Sequence, residues 1–180
     1  MAARPRNINN ETMTYDELLE RQQTAAMIAR EHGWLDDFTE NQRLATILCE
    51  IGELIQADKV GGSTEGQGSI PWECADIVIA SMNFLTAKGY GIITDGGYTH
   101  GHNYIAKKAD TMDIPELALC IGKLVSAPQS YELTVARSVS HVIGAVAAWC
   151  EGNGIDLLAA IDAKNTFNAG REWRHGGRKY

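Results

Sequence analysis

A chain of 180 residues is the size of one ordinary domain, or of two small repeats of one fold. Hydrophobic residues make up 44% and charged residues 22%, close to the globular average, which excludes wholesale disorder. The net charge of −7 is unevenly spread: residues 7–170 hold 10 basic against 22 acidic side chains, while Arg4, Arg6, Arg171, Arg174, Arg178 and Lys179 crowd the two ends, so the body repels nucleic-acid backbones and attracts metal cations.

The opening MAARPRNINNETM has no apolar stretch of the secretory kind. The longest uninterrupted apolar run, residues 142–150 counting Gly144, is well short of the roughly 20 residues of a spanning helix, so no membrane-spanning segment is expected. Cys49, Cys74, Cys120 and Cys150 are far apart inside apolar helical patterns, which fits buried thiols in a reducing, cytoplasmic setting better than a disulfide framework.

In chain order, Thr14 with Glu17 three residues on forms a capping box that opens a helix over about 15–32, with Leu18, Leu19, Ala25, Ala26, Ile28 and Ala29 at helical spacings and Gly33 as its stop. An acidic connector, Trp34-Leu35-Asp36-Asp37-Phe38-Thr39, leads to a second helix over about 40–60, where Leu44, Ile47, Leu48, Ile51, Leu54 and Ile55 repeat at three and four. Residues 61–69 are a loop by composition, and they lack the Gly-Lys-Ser/Thr ending of a phosphate-binding P-loop. Pro71 suits the first turn of a third helix over 71–88. Residues 89–102 carry Gly89, Gly91, Gly96, Gly97 and Gly101 and read as a long connection, in which His100 and His102 are loop residues without further zinc ligands nearby. A fourth helix covers about 114–126, with Pro115 at its start and Pro128 beyond its end. A fifth covers about 131–151, stopped by Gly152-Asn153-Gly154, and a sixth covers about 155–169. Only 90–94 has any strand character, and it is too short, so the fold class is all-α, a helical bundle.

An internal repeat is also legible. Leu48-Cys49-Glu50-Ile51-Gly52-Glu53-Leu54 resembles Leu119-Cys120-Ile121-Gly122-Lys123-Leu124 with one residue missing, and Asp76-Ile77-Val78-Ile79-Ala80 resembles His141-Val142-Ile143-Gly144-Ala145. The second copy then has Cys120, Lys123, Ser138 and His141 where the first has acids. The alternative is chance likeness between amphipathic helices.

Those acids carry the chemistry. Glu50 and Glu53 are three apart on the second helix, Glu73 and Asp76 three apart on the third, so each pair shares a helical face amid apolar neighbours. Four carboxylates so placed repel one another, and a bound divalent cation relieves that; all-oxygen ligation suits Mg²⁺ or Mn²⁺. A solvated acidic edge is the alternative. A ferritin-like di-iron centre needs two Glu-x-x-His motifs on core helices, and Glu172 with His175 is the one such spacing, in the basic tail.

Glu50-x-x-Glu53 followed after nineteen residues by Glu73-x-x-Asp76 resembles the signature of the MazG-like all-α nucleoside triphosphate pyrophosphohydrolases. The local sequences Leu48-Cys49-Glu50-Ile51-Gly52-Glu53-Leu54-Ile55-Gln56-Ala57 and Glu73-Cys74-Ala75-Asp76-Ile77-Val78-Ile79 are similar to that family, although Cys49 stands where it often has a further acid. Gly154-Ile155-Asp156-Leu157 leading to Lys164, Asn168, Arg171 and His175-Gly176-Gly177 is similar as well. The resemblance covers roughly residues 25–88 and 154–179. It implies one domain over 1–180 of the all-α pyrophosphatase type: metal-binding helices in 14–88, an insertion or degenerate second unit in 89–153, and a C-terminal helix and basic tail in 154–180.

The implied reaction is Mg²⁺-dependent attack of water on the α-phosphorus, giving the nucleoside monophosphate and pyrophosphate. Glu50, Glu53, Glu73 and Asp76 would hold the metal, for which Mn²⁺ substitutes, and Glu53 would orient or deprotonate the water. The resemblance also implies a homo-oligomer, dimer or tetramer, in the cytoplasm (a host's cytoplasm if phage-encoded). Its short phage-type members point to the purine deoxynucleotides dGTP and dATP and to remodelling of a nucleotide pool; housekeeping of damaged nucleotides is the other role.

Lys164, Asn168 and Arg171 are spaced four and three apart, on one face if the sixth helix reaches that far, and their chemistry suits phosphate and sugar. A frayed cationic tail is the alternative, and it fits Arg178 and Lys179 better than those three. Trp34 and Phe38 either stack on a base or plug the space between helices. Asn83, seven residues after Asp76 and so on nearly the same face, either touches the nucleotide or serves as an interhelical amide. Trp34, Asn83 and His175 join Lys164, Asn168 and Arg171 as expected substrate contacts; neither a nucleic-acid polymer nor a membrane is expected as a partner. The reading from a different class is a non-catalytic helical interaction protein with a regulatory nucleotide site.

Overall fold

Short polar side chains open the helices. Thr14, Thr39, Ser69 and Asp156 each accept a hydrogen bond from the backbone N–H three residues on, of Glu17, Gln42, Trp72 and Ala159. At Thr14 and Thr39 the third residue, Glu17 or Gln42, returns the bond to the cap's own N–H at 2.8 Å. The computed structural model describes residues 13–36, 38–61, 66–93, 109, 111–126 and 132–172. Among them are six helices and no strand: α1 Tyr15–Glu31, α2 Glu40–Lys59, α3 Ile70–Ala87, α4 Ile114–Ser126, α5 Glu132–Gly152 and α6 Leu157–Ala169. The chain is all-α, and each expected helix is present with its ends shifted by no more than two residues.

The centre of the bundle is α3. It packs against α1, α2, α5 and α6 and is apolar around nearly its whole circumference: Cys74, Ala75, Ile77, Val78, Ile79, Met82, Phe84 and Leu85 are all buried. Further packing joins α2 to α4, α4 to α5 and α1 to α6. The segments paired in the internal repeat thus lie on helices that face each other, α2 on α4 and α3 on α5.

One helix is more apolar than run-counting suggests, and one expectation, about the thiols, is corrected. Residues Leu133–Gly152 of α5 are long and apolar enough, by length and composition, to cross a membrane, with a mean hydropathy of 1.3. Counting uninterrupted runs missed this because Arg137 and His141 break the stretch. Val135, Val139, Val142, Ile143, Val146 and Cys150 of this helix are buried inside the bundle. The thiols are not uniformly buried. Cys74 and Cys150 are, and they hydrogen-bond to each other, which together with burial pushes the Cys150 thiol up; Cys49 is exposed because α2 turns that side outward.

The short stretch after α3 with strand character makes no ladder. Side chains take its backbone groups instead: the Gln22 amide donates to the Tyr90 carbonyl at 3.0 Å and accepts from the Ile92 N–H at 3.1 Å, the Tyr15 hydroxyl donates to the Ile92 carbonyl, and the Ile93 N–H donates to Ser140. Gln22 is 4% exposed, so replacing it by Ala strands a part-buried carbonyl and a buried N–H. The expected cost of Gln22→Ala is about 2–3 kcal/mol, read from urea unfolding. An unchanged midpoint would show that this tether contributes no stability.

Candidate metal and nucleotide site

The acids converge from two helices. Glu50 of α2 and Glu73 and Asp76 of α3 each offer an oxygen, and these atoms lie within 4.8 Å of one another. It is the one such group of potential ligands among the described residues. Glu73 is 5% exposed because it sits on the buried helix, and one of its carboxylate oxygens has no hydrogen-bond partner. The loop before α3 supplies some relief. Gly68 adopts φ 78°, a conformation glycine tolerates best, and its N–H favours the Glu73 carboxylate. Glu53 lies outside the close trio and is exposed, although its charge is felt by all three.

Burial dominates the electrostatics, and mutual repulsion adds to it. Glu50 is pushed up to about 8, first by burial and then by Asp76, Glu53 and Glu73. Glu73 is pushed up to about 7 by burial, Asp76 and Glu53. Asp76 is raised by burial and Glu53, against the opposing pull of Lys164 and Arg171. That opposition has a visible source: Lys164 of α6 is buried and forms an ion pair with Asp76. Its ammonium also lies 4.9 Å from the ring centre of Trp72 and 5.7 Å from that of Phe167.

A cavity of about 540 Å³ adjoins the acids. Glu50, Glu53 and Asp76 line it together with Trp34, Phe38, Asn83, Asn168 and Arg171. Along α3, Asn83 stands two turns beyond Asp76, about 10 Å along the axis. Its amide oxygen is buried without a hydrogen-bond partner. The aromatic walls are each faced by a guanidinium: Arg171 is 5.9 Å from the Trp34 ring centre, and Arg43 is 5.5 Å from that of Phe38. Trp34 is set in place by the end of α1, where Gly33 at φ 69° lets the Trp34 N–H reach back to the Ala29 carbonyl at 2.8 Å. A second cavity, of about 550 Å³, shares Phe38 and Arg43 and is lined besides by Leu35, Thr86, Ala87 and charged residues that include Lys88 and Glu40, paired at 2.8 Å.

The structure therefore unites most of the residues expected from sequence. Glu73 and Lys164 are buried, Glu50 and Asp76 are half-buried beside them, and Glu53, Trp34, Asn83, Asn168 and Arg171 join Glu50 and Asp76 in lining the cavity. Phe38 lines both cavities, so it is no sealed plug. One geometric expectation is corrected: α6 ends at Ala169, so Arg171 does not continue its face, but the chain turns at Gly170 and the Arg171 guanidinium reaches Asn168 at 3.5 Å. His175, His100, His102, Arg178 and Lys179 lie outside the described residues. Of the degenerate positions, Lys123 is exposed, and Cys120, Ser138 and His141 are partly buried on α4 and α5. Trp72, Phe167 and Arg43 were not foreseen. Spacing was the available signal: Trp72 is four before Asp76, and Phe167 three after Lys164.

The donor set is all oxygen, three carboxylates close together and one of them incompletely hydrogen-bonded, which fits a hard divalent cation. No family model, characterised protein or solved structure matches the chain.

Proposed function

We propose that this protein hydrolyses nucleoside or deoxynucleoside triphosphates to the monophosphate and pyrophosphate, with Mg²⁺ or Mn²⁺, in the manner of the MazG-like all-α pyrophosphohydrolases. The observation that supports it most is Glu73, a buried carboxylate with an unpartnered oxygen that faces Glu50 and Asp76 beside a cavity walled by aromatic rings and guanidinium groups. When bound, the cation supplies positive charge to the polyphosphate oxygens and lowers the pKa of water.

The chain's own residues do the rest. Glu50, Glu73 and Asp76 hold the ion. Glu53, exposed on the cavity wall, orients the attacking water and accepts its proton. As the bond from water to the α-phosphorus forms, the α–β bridging oxygen leaves with pyrophosphate. Arg171 forks onto phosphate oxygens, with Asn168 fixing its direction. The base lies along Trp34 and Phe38, with the Asn83 amide at its polar edge. Purine deoxynucleotides, a homo-oligomeric state and a role in a cytoplasmic nucleotide pool belong to the same reading, on the strength of the family resemblance.

The test is phosphate release, with added inorganic pyrophosphatase, from a panel of eight common ribo- and deoxyribonucleoside triphosphates, with Mg²⁺ and with EDTA. Metal-dependent release from at least one is expected. Asn83→Ala should then raise KM for the best substrate about tenfold, the worth of one hydrogen bond, with kcat little changed. No release from any of the eight, with nucleotide binding intact, would leave a regulatory nucleotide site instead.

A further inference from the structure

Lys164 differs from the other basic side chains of the site in being buried, at 7% exposure. Its ammonium pairs with Asp76, and an oxygen of that carboxylate lies within 4.8 Å of oxygens of Glu50 and Glu73. An ammonium at that carboxylate and a divalent ion held by the same three acids occupy neighbouring positions at a partly buried site, where like charges repel. Lys164 also has partners that do not depend on Asp76. The faces of Trp72 and Phe167 lie 4.9 Å and 5.7 Å from its nitrogen, and a ring face retains a cation that has lost its carboxylate.

We propose that Lys164 is a built-in counter-ion that holds the acidic centre together while no metal is bound, competes with the incoming divalent cation, and yields Asp76 to it. The proposal rests on the metal-dependent reading above and adds to it a residue that sets how tightly the ion is held. It gives the long side chain of α6 a role in tuning the metal affinity, distinct from direct contact with phosphate.

The test is Mn²⁺ binding to the full chain without nucleotide, by isothermal titration calorimetry, for the wild type, Lys164→Met and Lys164→Arg. Methionine keeps the bulk against Trp72 and removes the charge, and it should tighten Mn²⁺ binding about tenfold or more. It should also lower the melting temperature in EDTA and enlarge the rise that saturating Mn²⁺ produces. Arginine keeps the charge and forks onto Asp76, and it should weaken binding several-fold. A residue with a merely structural role would not move the affinity in opposite directions. If Lys164→Met does not fold, the arginine variant decides alone, and an affinity within twofold of the wild type overturns the proposal. Binding by Lys164→Met equal to or weaker than the wild type also overturns it while leaving the metal reading intact. Absence of Mn²⁺ binding by the wild type and both variants overturns the two together.

Discussion

Glu73→Gln is expected to abolish metal-dependent turnover and, in the same molecule, to stabilise the metal-free fold. The carboxylate is 5% exposed, has an oxygen without a hydrogen-bond partner, and faces Glu50 and Asp76. On the proposed metal reading this carboxylate is a ligand, and an amide is a poor substitute for it; a loss on the order of 10³ in kcat follows if the ion stabilises the transition state by several kcal/mol. Without the ion, the amide carries no charge to repel its neighbours and donates an N–H toward their oxygens. Relief of a carboxyl pushed up to about 7 should contribute about 1–3 kcal/mol at pH 8. For a chain of this size that is a rise of about 3–8 °C in melting temperature. Phosphate release gives the first quantity and circular dichroism melting in EDTA the second. Turnover within tenfold of the wild type, or a lower melting temperature, would contradict the assignment.

The second large effect is a reversal of the usual response to pH. Glu50 is pushed up to about 8 and Glu73 to about 7, with Asp76 also raised, so the folded protein retains protons that the unfolded chain releases near pH 4.5. The unfolded state then binds fewer protons, and stability falls as pH rises. The contribution is complete below about pH 4.5 and is lost as pH passes through 7 and 8. In EDTA, stability should decline by on the order of 1–2 kcal/mol per pH unit between pH 5 and 8 and then level off. Metal binding displaces the same protons, so apparent Mn²⁺ affinity should rise at least tenfold per pH unit over pH 6 to 8. Calorimetry in buffers of different ionisation enthalpy should count one to two protons released per ion at pH 7. A melting temperature in EDTA that is flat or rising from pH 5 to 8.5 would refute the electrostatic account of the cluster.

The helices were legible because local signals mark them independently. Thr14 with Glu17, Gly33, Pro71 and Gly154 each act within one turn of the chain, where sequence and geometry are nearly the same thing. The pairing of the acids was legible for the same reason, since a spacing of three fixes a face. The division of labour among them was not. Glu73 is buried and Glu53 exposed because α3 lies at the centre and α2 at the side, which depends on how all the helices pack. Lys164 reads from sequence as a phosphate contact, yet its partner is Asp76, a residue far away in the chain that only the docking of α6 on α3 brings near. Cys49 was misjudged in the same way, because the apolar pattern around it does not say which side of α2 meets solvent.

One further consequence follows from the position of α3. The helix that packs against four of the other five also carries Glu73, Asp76 and Asn83. Variation along it therefore cannot reshape the acidic cluster or the cavity wall without also disturbing the scaffold. The freedom to vary lies elsewhere, in the connector at Trp34 and Phe38, on the exposed side of α2, and at Arg171 just after α6. Those positions line the cavity while contributing little to the core, so its walls can change while the acidic centre is held fixed.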